Sequence, residues 1–373
     1  MADPVTPRGL VAIERWQQPG AHLSEVLAAL DDLRRRAAGQ GASMRAAVMT
    51  LVVVDGTDSE TDACLSSVRA LGSHHPCRLV MLKPDPDSTP SIDAEACLWR
   101  TSTEDATLTA AAVSGTTPGS GPQAGGPQAG ETGPAQEAGD HPIFFEELHL
   151  RVGGQAASHL ASIVGPFALA DMPLVLWFPG PLPDPADPLL RVATALLVDT
   201  RVAGSEATEV AHAYRTLLEL ANHHPVVDLS WVRLQPWREL LAGLFDPEQN
   251  RAMLKSVRSA QVRGKPGPRH LLGGWLLAQL DLRAREVTLE DARHVEIEID
   301  AGAGGNEGTF IVSRDEGTRA VWARAVLSSG VAHSQALPLP DDSLTSALSA
   351  AMGNLRADRV WERALSAAAT LGA

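Results

Sequence analysis

The sequence predicts an α/β fold: two tandem α/β domains, read as an internal duplication, with mostly parallel sheets and antiparallel edge strands. Three observations carry this. Residues 46–54 and 77–82 are short apolar runs of the kind that form strands covered on both faces. A helical period between them makes a strand–helix–strand unit, which reads as a right-handed parallel crossover. The order of a strand ending in Val-Asp, a helix, His-His-Pro and a strand then occurs twice. Val54-Asp55 and His74-His75-Pro76 in the first half answer Val198-Asp199 and His223-His224-Pro225 in the second. The expected domains are 1–168 and 169–373.

The elements follow in order. Leu23, Val26, Leu27, Leu30 and Leu33 mark a first helix over 24–38, with Arg34, Arg35 and Arg36 in its last turn, where the macrodipole favours cations. The strand over 46–54 leads to Ser59-Glu60-Thr61-Asp62, which has the form of a capping box, and to a helix carrying Cys64, Leu65, Val68 and Leu71. Residues 92–100 and 144–152 alternate apolar with polar residues and are predicted as half-exposed strands. Between them, 113–140 is Gly/Pro-rich and holds Gly-Pro-Gln-Ala-Gly twice in succession. It is read as a disordered loop inserted between two strands of one sheet, with an interdomain linker as the alternative. Gly153-Gly154 opens a helix and is read as a tight turn rather than a phosphate loop, having neither the Rossmann nor the Walker spacing.

The second unit begins with strands at 174–178 and 195–199. An amphipathic helix over 205–221 and a strand over 226–232 follow. Pro236 then starts a helix with Trp237, Leu240, Leu241 and Leu244 on one face. A strand at 257–262, a helix at 270–282, a meander of short strands at the sheet edge between 295 and 337, and two closing helices complete the chain.

Composition narrows the function. The 373 residues carry a formal charge of −14, which argues against a nucleic-acid or anionic-membrane binder. No signal peptide or apolar run of spanning length is present, so a soluble, cytoplasmic protein is expected. Cys64, Cys77 and Cys97 show no CxxC spacing and are read as small buried hydrophobes in a reducing compartment. Each His-His-Pro closes a helix and is read as a cap rather than a metal or acid–base site. Asp55 and Asp199 end parallel strands, where α/β proteins place ligand-binding residues, but serve equally as caps. No cofactor, metal site or catalytic residue is expected. The basic turn Arg263, Lys265 and Arg269 is the best candidate for an anion site, weighed against a solvated turn. Six of the eight tryptophans fall in the second unit. Trp177, Trp231 and Trp237, with Arg233 and Arg238, are the candidate partner-binding residues, since Trp and Arg dominate interface energetics.

Several separated segments resemble one family. Pro173-Leu174-Val175-Leu176-Trp177-Phe178-Pro179-Gly180, Asp228-Leu229-Ser230-Trp231 with Arg233, Pro236-Trp237-Arg238-Glu239-Leu240-Leu241 and Gly274-Trp275-Leu276 are similar to the hallmark segments of the glucose-6-phosphate dehydrogenase assembly proteins, the OpcA family. The resemblance extends over 46–282. It implies a non-catalytic partner that binds glucose-6-phosphate dehydrogenase and promotes its active oligomer, supporting NADPH supply through the oxidative pentose phosphate pathway. In photosynthetic relatives it implies thioredoxin-dependent control, yet no cysteine lies in the matched segments of the second unit. The alternative is a sugar-phosphate-binding or -hydrolysing enzyme clamping its anion with Arg263, Lys265 or Arg269.

Overall fold

Parallel pairing organises the first two-thirds of the molecule. The computed structural model describes residues 10–39, 47–54, 58–71, 75–101, 144–202, 204–303, 306–314 and 320–371. Eight strands form one sheet in the order β1-β4-β5-β3-β2-β6-β7-β8: β1 (Leu10–Gln18), β2 (Thr50–Val54), β3 (Arg78–Asp85), β4 (Ile92–Thr101), β5 (Phe144–Gly153), β6 (Leu174–Phe178), β7 (Ala195–Val198) and β8 (Val226–Asp228). The pairs from β5 through β8 are parallel, and β4 and β1 add antiparallel pairs at one edge.

Both faces of this sheet are covered, which is why its inner strands carry continuous apolar runs at 51–54, 79–82, 174–178 and 195–198. Val52, Val80, Leu176 and Leu196 face helices α1 (Leu23–Gly39) and α4 (Ala207–Ala221) within one core cluster. Leu51, Val53, Leu79, Trp177 and Leu197 face the other way, against α2 (Asp58–Leu71) and α9 (Leu344–Met352). A short helix, α3 (Leu160–Val164), follows the glycine turn after β5. Gly154 in that turn has φ +56, and a Cβ there would lie 2.7 Å from the Pro90 nitrogen, so close packing of backbone requires glycine.

The expected boundary at residue 168 falls inside this sheet. Strand β2 hydrogen-bonds to β6, with Val52 opposite Leu176, so strands of both expected domains form one layer. The change of sheet comes after Asp228 instead. Three short helices, α5 (Leu229–Arg233), α6 (Gln235–Gly243) and α7 (Glu248–Arg251), lead to a six-stranded sheet in the order β10-β9-β11-β12-β13-β14. Its strands are β9 (Val257–Gly264), β10 (Val287–Asp291), β11 (Glu296–Ala303), β12 (Asn306–Arg314), β13 (Ala320–Leu327) and β14 (Gly330–Pro338). The expected edge meander is therefore a sheet of its own. It starts with a parallel β9–α8–β10 crossover through α8 (Pro266–Gln279), and the other pairs are antiparallel. Its inward residues, among them Val262, Ile297, Phe310 and Val312, join the core cluster that lines the first sheet. Helix α10 (Arg359–Leu371) packs on α8 and α4, joining the two layers.

Two further expectations change. The strand predicted over 226–232 stops at Asp228, because its carboxylate accepts from the Ser230 N–H at 3.0 Å and caps α5. Strand β5 is not half-exposed: Glu146 and Glu147 are buried and held by basic side chains. Arg34 and Arg78 both bond Glu146, while Arg69 and His149 bond Glu147. Burial pushes both carboxyls up, but these partners outweigh it and hold them below the ordinary range. Asp55, His74 and the Gly/Pro-rich stretch 113–140 lie outside the described residues; the strands flanking that stretch, β4 and β5, pair directly. Among the described residues no helix is long and apolar enough to cross a membrane.

Candidate functional site

The Trp–Arg-rich stretch folds over the C-terminal ends of β7 and β8. Asp199 and Asp228 close these neighbouring parallel strands, and both carboxylates are buried. Asp228 accepts from the Thr200 N–H (3.0 Å), the Thr200 hydroxyl (2.9 Å) and, at 3.3 Å, from Trp361 Nε1 on α10. Asp199 accepts from the Ser230 hydroxyl (2.8 Å), Arg233 Nη1 (2.9 Å) and the Arg201 N–H (3.1 Å). The two acids respond oppositely. Burial, and then the nearby Asp199 charge, pushes Asp228 up to about 6. Burial also acts on Asp199, but Arg233 and Arg201 outweigh it and lower its pKa.

The predicted partner-binding residues are placed unevenly. Trp177 is 1% exposed in the core of the first sheet and presents no surface. Trp231 is also buried: its indole nitrogen donates to Asp358 Oδ2 at 2.7 Å, and the Arg238 guanidinium lies 3.4 Å above its ring. Arg238 donates to the Trp231 carbonyl at 3.1 Å, and burial lowers it to about 10. Arg233 turns away from this pair toward Asp199, and its Nε donates to the Asp342 carbonyl at 3.1 Å. Trp237 packs into the shared core. The structure thus brings Trp231 and Arg238 together, sets Arg233 in a separate ion pair, and leaves Trp177 apart. The cluster is mostly internal: the Trp231 indole finds an acceptor in Asp358, which lets its ring be buried, while Arg233 Nη2 and Arg238 Nε are buried without a hydrogen-bond partner among the described residues. Gln235 and Glu239, on the outer side of α6, are the exposed residues of this junction.

The basic turn does not act as one clamp. Arg263 is neutralised by Glu290 and Glu296, and Arg269 by Asp291. Only Lys265, the exposed N-cap residue of α8, faces the cleft where the ends of β7 and β8 meet the second sheet. The three cysteines are buried and form no disulfide with one another, and burial raises Cys77 and Cys97 to about 12, which keeps these two as thiols. Among the described residues no group of three or more His, Cys, Asp or Glu side chains is placed to hold a metal. Sequence reasoning assigned no individual role to Asp228, Thr200 or Asp358. An Asp before Leu-Ser at the end of an apolar strand is a helix-start signal that identifies the first of these.

Two family models match consecutive stretches of the chain. Residues 123–219 match the glucose-6-phosphate dehydrogenase subunit N-terminal domain, and 224–365 match the corresponding C-terminal domain. The two meet at the second His-His-Pro turn, close to the change of sheet. Curated relatives include the putative OxPP cycle protein OpcA of Nostoc punctiforme, 27% identical over 143 residues, covering 37% of this chain and 30% of that protein. The protein of the same name from Synechococcus elongatus is 24% identical over 189 residues, covering 45% of this chain and 42% of that one. A third, from Synechocystis sp., is 24% identical over 151 residues, with 37% and 30% covered. The matched stretches thus span less than half the length of these relatives.

Proposed function

This chain belongs to the OpcA family of glucose-6-phosphate dehydrogenase subunits, and we propose on that premise that it is a non-catalytic, cytoplasmic accessory subunit. It binds glucose-6-phosphate dehydrogenase, promotes the active oligomer and so supports NADPH production in the oxidative pentose phosphate pathway. The observation that carries this reading is the succession of both subunit domains in order along one chain. The names of the curated relatives point to the same pathway.

For the contact surface we favour the junction formed by α5 and α6. There Trp231, Arg233, Trp237 and Arg238 act from beneath, fixing the shape on which Gln235 and Glu239 are displayed. Trp177 contributes only to the core. The test mixes the purified chain with the dehydrogenase and measures activity together with co-elution and molar mass by light scattering. A rise in activity with a larger complex is expected. Sugar-phosphate turnover by the chain alone, or absence of any complex, overturns the reading. Glu239→Arg leaves the core untouched and is expected to weaken the complex. Undiminished binding moves the contact away from α6 and leaves the subunit role standing.

A further inference from the structure

A cleft of about 360 Å³ lies between the C-terminal ends of the parallel strands β7 and β8 and the second sheet. Five cations line it: Arg201 beyond β7, Arg233 on α5, Lys265 before α8, Arg293 before β11 and Arg314 at the end of β12. They come from five places in the chain, so no local charge run announces them. In a molecule of net charge −14 such convergence is a focused positive field. Asp342 in the wall and Asp199 behind it offset only part of it.

The state of these cations points to a ligand. Lys265 and Arg293 have no ion-pair partner among the described residues, and Arg314 makes its contact with the His294 ring, 3.3 Å from Nδ1. Arg233 is more telling: its side chain is 6% exposed, Nε and Nη1 are bonded, and the buried Nη2 has no hydrogen-bond partner. An unmatched donor on a buried guanidinium is costly unless an acceptor arrives. The N-terminus of α8, a 14-residue helix, opens on the same cleft and adds its positive end. Trp237, Pro268, Val295 and Leu339 supply apolar wall. The volume falls in the range of about 300–1,000 Å³ of small-molecule sites, well beyond what a lone oxyanion fills.

We infer that this cleft is a binding site for a small phosphorylated organic molecule of sugar-phosphate or nucleotide size, held without being transformed. The phosphate sits against Arg233, Arg293, Arg314 and Lys265, and the body of the molecule lies on the Trp237 side. This site differs from the basic turn read in the sequence, since Arg263 and Arg269 are neutralised outside it. It also stands independently of the dehydrogenase reading, because binding is measured on the chain alone.

The full chain is titrated with glucose 6-phosphate, ADP, inorganic pyrophosphate and, as the neutral arm, glucose. Calorimetry and tryptophan fluorescence report binding. Mass spectrometry after limited acylation reports protection of Lys265 and needs no variant. At least one organic phosphate is expected to bind and protect Lys265, with glucose inert and affinity falling as salt rises. Arg293→Gln and Arg314→Gln are each expected to weaken binding about tenfold or more, the usual loss for a charge-assisted bond. Lys265→Gln, at an exposed position, is the check should either variant fold poorly. No binding at millimolar concentration, binding without protection of Lys265, or unchanged affinity in the folded variants overturns the site. Binding of pyrophosphate alone overturns its organic assignment and leaves an adventitious anion only.

Discussion

Asp228 shows how one buried carboxyl sets a pH response. Burial raises it from the ordinary 3.8 to about 6. Between those values the folded protein holds a proton that the unfolded chain has released, so stability falls as pH rises through that window. The wild type is expected to lose about 1 kcal/mol between about pH 5 and about pH 7 on this account. Asp228→Asn removes that component, and urea midpoints of the two proteins at both pH values measure it. Parallel pH slopes would contradict the assignment. Arg69 and Glu147 make the complementary case: the pair is buried, bonded at 2.6 and 2.8 Å, and Arg69 also lies 4.3 Å over the Trp99 ring. Arg69→Met strands a buried carboxylate and is expected to cost about 3–5 kcal/mol, whereas adding Glu147→Gln should return much of it. Denaturant melts of both variants decide this, and a double variant no more stable than the single one counts against an uncompensated charge as the cause.

At the scale of elements, two glycines should respond with opposite signs. Gly274 sits where α8 crosses α10, and a Cβ there would meet the Ala364 carbonyl at 2.2 Å and the Ala368 nitrogen at 2.5 Å. Alanine gains about 1 kcal/mol in helix propensity. Backbone atoms on the facing helix cannot give way, however, and separating the helices costs about 1–3 kcal/mol or more. Overpacking wins, so Gly274→Ala lowers the melting temperature. Gly243, at the end of α6, has nothing within 4 Å of its Cβ position, and Gly243→Ala should raise stability by about 0.5–1 kcal/mol. Thermal melts that move both variants the same way would refute the distinction. Elements were legible in the sequence wherever one local rule sufficed. Leu51, Val52 and Val53 announce a strand covered on both faces, and Leu23 to Leu33 announce α1. Strands β1 and β10 escaped notice, since Glu14-Arg15-Trp16 and Thr288-Leu289-Glu290 alternate too weakly and owe their pairing to distant neighbours. Leu229 to Val232 reads as strand by composition, and the Asp228 cap decides for helix. The Trp–Arg stretch was legible as special, but its inward orientation was not. Asp358, 127 positions from Trp231, accepts its indole proton, and no local pattern reveals such an acceptor.

For the whole molecule the question is whether two sheets make two folding units. Tandem subunit domains invite that expectation, and chains of this length often unfold in steps. The packing argues otherwise. One continuous apolar cluster contains Leu176 and Leu196 of the first sheet together with Ile297, Phe310 and Val321 of the second. Phe245, just beyond α6, stacks on Phe310 with ring centroids 4.2 Å apart. Helix α10 bridges the layers with Trp361 and Leu365, each no more than 1% exposed, while the Trp361 indole reaches Asp228 at the end of β8. Neither sheet can open without exposing residues that stabilise the other, and cooperativity follows from that shared burial. Calorimetry is therefore expected to give one transition, with the calorimetric enthalpy equal to the van't Hoff value. Trp361→Ala, which empties the joint, is expected to cost about 3–5 kcal/mol and to shift that single transition as a whole. Two resolved transitions in the wild type, or a variant in which the second sheet melts while the first keeps its midpoint, would show that the layers are coupled only by contact and not by a common core.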